Sequence, residues 1–298
     1  MFKIMSKLYN YIIVLNFFLV WIGFYLPEQI KTSIGLLGIL SIGLIHGSND
    51  IFLIKNIQRQ QSILKYIFYY SLFIISFAVA FYLIPIVSLP VFILASAYHF
   101  GEQHWQKAFL KAPNYIKQLF FICYGNLVIG MILYFNQVES TTIIENLSGF
   151  VVNESIYLCN ILVSLILTSI SFILCAKKIN SKASTIVLNI FYLLLFTATF
   201  YVSGLIWSFA LYFVLWHSLP SLKDQIDFSF GSINFQNLLM YLKQSFVYWL
   251  ISIIGLIVFY FLLKDTKYIL SILFAFIASV TIPHVFVVKK MFEKKAST

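Results

Sequence analysis

Between Tyr9 and Val288 the chain is a succession of apolar runs, most of them close to the roughly 20 residues a helix needs to cross a bilayer core. That pattern constrains the fold more than any motif does. Hydrophobic residues make up 61% of the 298 and charged residues 10%, whereas a soluble domain carries about a quarter charged residues to face water. The length would suit two soluble domains. Divided into membrane spans with short links, it predicts an all-α polytopic membrane bundle of about eight to ten helices, forming one transmembrane domain over residues 1–298.

Charged and turn-forming residues divide the runs. Helix 1 is expected at about Tyr9 to Leu26, helix 2 at Ser33 to Ile54, helix 3 at Tyr66 to Ile84, helix 4 at Leu89 to Trp105 and helix 5 at Gln118 to Phe135. Helix 6 follows at Ser155 to Cys175, helix 7 at Ala183 to Val202, helix 8 at Leu205 to Ser221, helix 9 at Phe246 to Leu263 and helix 10 at Tyr268 to Val288. The first run has the basic start of a signal peptide, but it is long and no small-residue cleavage site precedes Pro27 and Glu28, so it is read as a retained helix. The segment from Glu139 to Glu154 is the longest expected loop on the outer side, a lid or a connector.

Lysine placement assigns a sidedness. Lys3 and Lys7, then Lys55, Arg59 and Lys65, then Lys107, Lys111 and Lys117, then Lys177, Lys178 and Lys182, then Lys223 and Lys243, then Lys289, Lys290, Lys294 and Lys295 fall in alternate connections. The other connections carry Glu28 with Lys31, the acids Glu139, Glu145 and Glu154, Lys264-Asp265-Lys267, or no charge. By the positive-inside rule both termini are cytoplasmic in a multi-pass protein of the cell membrane. The same cationic residues, net +10, are expected to meet anionic membrane lipid. With Arg59 the lone arginine, bidentate phosphate recognition has little to use, and no nucleic-acid partner is expected. Cys123, Cys159 and Cys175 lie apart in apolar runs without metal-type spacing, and no serine, cysteine or lysine sits in a nucleophile motif.

The five histidines carry the chemistry. His46 lies in helix 2, His99 and His104 near the end of helix 4, His217 in helix 8 and His284 in helix 10. All four helices are even-numbered and run toward the cytoplasm, so the histidines share one depth within about three turns of the helix ends. For any single histidine an interhelical hydrogen bond is the plain alternative. At one depth on four helices, a metal site built from facing side chains accounts for the set better. Neutral imidazoles suit Fe, Zn, Cu or Ni, and an all-nitrogen neutral set favours a divalent ion such as Fe(II) with positions open for O₂. Asp50, four residues after His46, and Glu102, three after His99, are each placed to orient an imidazole through its second nitrogen. His104 points about 140° from His99 on a regular helix, so only one of them enters the site unless Gly101 distorts the turn. Pro283 frees a carbonyl just before His284 and is expected to aim helix 10.

HGSND (His46 to Asp50), AYHFGEQHW (Ala97 to Trp105), FALYFVLWHS (Phe209 to Ser218) and PHVFVV (Pro283 to Val288), in this order on separate apolar helices, resemble the Brp/Blh family of bacterial and archaeal β-carotene 15,15′-dioxygenases. The resemblance runs from helix 2 to helix 10. It implies a membrane enzyme that uses Fe(2+) and O₂ to split β-carotene at its central double bond into two retinals, which serve a microbial rhodopsin. It also implies His46, His99 and His217 as iron ligands and catalytic residues, with Asp50, Gly101 and His284 matching too. Two positions depart from the family pattern: Ser221 stands where a histidine is common, and His104 where an acid is common. His284 or His104 is then the candidate to complete the shell, with Glu102 and Ser221 beside it.

Three other readings stay open on the sequence. A haem carrier would place two histidines axially and leave the rest unexplained. A proton relay or transporter would use Asp50, Glu102 and the histidines, although no internal repeat is visible. A diverged relative would act on another carotenoid or isoprenoid.

Overall fold

The computed structural model describes residues 2–57, 62–109, 112–176, 183–263 and 269–297. Arg59, Lys111, Lys177, Lys178, Lys182, Lys264, Asp265, Lys267 and Tyr268 lie outside the described residues. Among the described residues there are helices and no strand. In order they are α1 (Phe2–Gly23), α2 (Glu28–Gly38), π1 (Ile39–Gly43), α3 (Leu44–Ser48), α4 (Asp50–Ile57), α5 (Ile63–Leu83), α6 (Pro85–Trp105), α7 (Asn114–Phe135), α8 (Gln137–Ser148) and α9 (Glu154–Ala176). The chain continues with α10 (Ala183–Val202), α11 (Leu205–Ala210), π2 (Leu211–Ser218), α12 (Leu219–Phe230), α13 (Phe235–Leu263) and α14 (Ile269–Ser297).

Among the described residues seven helices are long and apolar enough to cross a membrane. They include Glu28–Ile57 and Leu205–Phe230, each a run of consecutive helical elements. Each of the ten expected helices has a counterpart. Three differ in detail from those spans: Lys7–Gly23 and Val187–Val202 are shorter apolar helices, and α6 ends in the polar sequence GEQHW. The bundle has an inside and an outside. The Leu205–Phe230 span is 89% buried, whereas Ile63–Leu83 is 6% buried and turns Phe68, Tyr69 and Ile75 outward. With lipid as solvent, such apolar exposure needs no cover.

Helix ends follow local chemistry. Pro85 opens α6 directly after α5, its missing N–H falling where a helix has no internal acceptor. Gly149, at φ 71°, lets the chain leave α8 in a left-handed turn. Lys294 donates to the last carbonyls of α4, from Asn56 and Ile57, at 2.7 and 2.8 Å.

Two departures from the expected layout position the site. The segment from Glu139 to Glu154, expected as a loop, begins with helix α8. It packs Leu147 onto the cluster of Phe81, Ala275 and Ala278, which Leu89 and Phe92 of early α6 also join, while Glu139 accepts a hydrogen bond from Leu205 N at 3.1 Å. Gly101, considered above as a point of distortion, sits inside regular α6. Its role is close approach: a Cβ there would stand 2.1 Å from Phe121 O, and one at Gly125 would stand 1.8 Å from Ala97 O. α6 and α7 therefore cross backbone to backbone, as small residues permit between membrane helices.

Candidate metal centre

Each histidine is delivered by a helix with a local irregularity or a long-range support. His46 follows π1, whose wider turn offsets α3 from α2. His217 lies within π2, where Ser218 Oγ donates to Phe213 O, five residues back, at 2.7 Å. Such turns are rare and recur at functional sites. The two meet at Gly43, where a Cβ would stand 2.6 Å from Phe213 Cε1. The His46 carbonyl accepts from Gln225 Nε2 at 2.8 Å and Tyr241 OH at 3.2 Å. His99 rides on α6 beside the Gly101–α7 crossing, and His284 follows Pro283 in α14, which continues through the proline.

Four of the five histidines converge. Ligand atoms of His46, His99 and His284 lie within 4.8 Å of one another. The His217 ring stands 4.7 Å from that of His99 and 5.0 Å from that of His46, and His284 lies 5.0 Å from both His46 and His99. The pairs are set edge to face, at 75° to 87°. All four residues are buried. Both ring nitrogens of His99 and of His217, and Nε2 of His284, have no hydrogen-bond partner among the described residues. His46 Nδ1 is unpaired as well. Leaving buried polar atoms unpaired costs roughly 1–3 kcal/mol apiece, and a shared cation would take one nitrogen from each ring. The residues therefore fit a metal ion. His284 Nδ1 is 2.8 Å from Asp50 Oδ1, and Tyr70 OH donates to Asp50 Oδ2 at 2.6 Å. Donation from Nδ1 to this carboxylate directs the Nε2 lone pair of His284 into the cluster.

The acids do not pair as their spacing suggests. Asp50 serves His284 of α14 and not His46, because Asn49, at φ −95° and ψ 11°, breaks the helix between α3 and α4 and shifts the i, i+4 register. Glu102 accepts from Tyr98 OH at 2.7 Å, Lys289 lies 5.7 Å over the Tyr98 ring, and no hydrogen bond joins Glu102 to His99. Ser221 is buried and accepts from Gln225 Nε2 at 3.2 Å, one step removed from the His46 carbonyl. His104 stands apart, bonded to the Asn189 side chain and ringed by Tyr9, Tyr124 and Tyr192.

The four rings head an apolar cavity. It runs from His99 to Leu89 along α6 and from His284 to Phe274 along α14, about 15 Å at 1.5 Å per residue, and α8 closes the far end. A buried, nitrogen-only donor set at the head of a long hydrocarbon-lined cavity suits a metal acting on an extended apolar molecule.

A family model described as beta-carotene 15,15'-dioxygenase matches residues 37–292. The chain belongs to this family. The matched region contains all four clustered histidines, Asp50, both π turns and every residue that lines the cavity. No curated protein and no solved structure matches the chain.

Sequence reasoning missed Tyr70, Gln225 and Tyr241. Each sits among other polar residues of its helix with no spacing to mark it, and only the packing of α5, α12 and α13 on α3 and α4 shows its partner. Gln225 does lie four residues after Ser221, on the same helical face, a spacing that would have linked the two.

Proposed function

We propose that this chain is an iron-dependent membrane dioxygenase that splits β-carotene at the 15,15′ double bond with O₂, releasing two molecules of all-trans-retinal for a microbial rhodopsin. The observation that carries the proposal is the convergence of His46, His99, His217 and His284, with unpaired ring nitrogens, at the head of an apolar cavity. In this reading all four are metal ligands and His104 is not. Rings packed edge to face at about 5 Å support a single ion and leave little space for a haem plane.

A bound Fe(II) supplies the one-electron and O₂ chemistry that breaks the double bond. The residues of the chain do the positioning. Asp50, held by Tyr70, orients His284 and places a negative charge beside an otherwise neutral donor set. Phe100 and Phe213 flank His217 at 4.6 and 5.6 Å and keep water from its ring. Leu89, Phe92, Ile93, Ile277 and Val280 line the space beyond, which fixes the polyene by length and shape and offers no group for general acid–base work. The substrate is too apolar to cross water, so entry is from the bilayer. The protein resides in the cell membrane with both termini cytoplasmic, which puts the histidine end of the bundle on the cytoplasmic side.

Expression in β-carotene-producing cells with iron available tests the reading. Loss of orange colour with retinal in the extract, abolished in His46→Ala and His217→Ala, is the expected result. Intact β-carotene in cells whose purified protein holds iron would shift the assignment to another carotenoid or isoprenoid, and protein without metal would sink the enzyme reading.

A further inference from the structure

The cavity is apolar except at a few hydroxyls, and two of them, Ser96 and Ser140, are unpartnered; the other unpartnered buried serine and threonine hydroxyls among the described residues, of Thr168 and Ser229, do not line it. Buried serines and threonines of membrane helices ordinarily return their proton to the carbonyl one turn back. Ser171, Ser245 and Ser279 do so here, as does half-buried Thr281 on the cavity wall. Ser96 and Ser140 also line the cavity but make no such bond. They are 4% and 1% exposed, and each Oγ lacks a partner among the described residues. Ser96 lies one turn before His99, at the head of the cavity. Ser140 lies on α8, beside Glu139, which bonds the first residue of α11, so it marks the closed far end.

The distance between the two ends has a chemical meaning. An extended carbon chain advances about 1.2 Å per bond. The nine or so bonds from the central double bond of a carotenoid to its ring thus reach about 11 Å, and the ring fills the remainder of the roughly 15 Å between the histidines and α8. The ring carbons most remote from the polyene then fall at Ser140. An unsubstituted ring offers nothing to a buried hydroxyl, whereas a ring oxygen satisfies it.

We propose that Ser140 is a specificity residue for carotenoids carrying oxygen on the terminal ring, binding that oxygen by a hydrogen bond at the far end of the cavity. The inference rests on the dioxygenase reading for the direction in which the polyene lies. A hydroxyl on the ring would donate to or accept from Ser140 Oγ, and a ring ketone would accept from it.

The full-length protein in detergent, parent and Ser140→Ala and Ser140→Thr, is titrated with β-carotene and with its ring-hydroxylated counterpart, following the visible absorption shift on binding. The same pairs are then assayed for apocarotenal release. The preference for the hydroxylated over the unsubstituted carotenoid is expected to fall about tenfold in Ser140→Ala, the order set by one hydrogen bond to a buried hydroxyl, and to be retained in Ser140→Thr. A preference that is absent in the parent, or unchanged in Ser140→Ala, overturns the proposal. The release assay judges the underlying reading separately: a parent that binds both carotenoids and cleaves neither removes the dioxygenase assignment, while the binding ratio still decides the role of Ser140. A ring-ketone carotenoid as a third ligand, favoured by the parent over β-carotene and lost in Ser140→Ala, supports the same contact with Ser140 as donor.

Discussion

His99 and His104 sit five residues apart on α6 and have opposite surroundings. His104 has its partner in Asn189 and a wall of tyrosines 5 to 6 Å away. His99 has neither nitrogen paired and three other imidazoles around it. The difference teaches that a histidine at membrane depth does not declare its role by depth. His104 keeps one side-chain partner, leaves Nδ1 unpaired and is ringed by tyrosines, whereas His99 is paired at neither nitrogen and is ringed by imidazoles.

Removing ligands gives the largest effect by which that contrast can be broken. His46→Ala and His217→Ala are expected to leave the purified protein without stoichiometric iron and its cells without retinal, by metal analysis and by chromatography. Iron retained at full occupancy in both would end the four-histidine assignment. Next in size is Asp50→Ala, which frees His284 to turn. Losing the group that orients a metal-bound imidazole weakens metal binding about 10- to 100-fold, read by competition with a calibrated chelator. Tyr70→Phe should fall in the same direction by less.

Gly125→Ala tests the scaffold that presents His99. A Cβ 1.8 Å from Ala97 O must push α6 from α7, and overpacking of this kind costs about 1–3 kcal/mol, measurable as a lower Tm in detergent. The smallest effect is expected from His104→Phe, which sharpens the comparison most. Bound iron should be unchanged, and stability should fall by about 1 kcal/mol for the lost bond to Asn189. A loss of iron in this variant would return His104 to the candidate ligands.

Much of the fold was legible in the sequence because membrane solvent leaves few options. Runs of apolar residues near 20 long become helices whatever their neighbours, so all ten expected helices have counterparts. Helix α8 escaped because QVESTTIIENLS is polar enough to read as a loop, and its folding depends on the cavity end that it covers. The π turns escaped for a different reason. Neither ILSIG nor LYFVLWHS carries a local signal for a wider turn, and the turns exist because Gly43 and Phe213 must pass each other.

The histidines were legible by type and depth, their pairings less so. The i, i+4 rule that linked Asp50 to His46 assumes an unbroken helix, and Asn49 interrupts it. Rotation alone separated His104 from His99 by about 140°, and the structure keeps that separation because α6 is regular through Gly101. The sequence could not choose between His104 and His284 to accompany the others, since residues far apart in the chain have no defined distance until the helices pack.

By itself the sequence determined that the chain lives in lipid, where its helices fall, and that several imidazoles lie at one depth, because these depend on composition and periodicity along the chain. Only the tertiary structure decided which four rings meet, which acid serves which ring, and how long the cavity beneath them is. Those depend on helix crossings set by a handful of close contacts at Gly43, Gly101 and Gly125, and a contact between segments leaves no trace in the periodicity of either one.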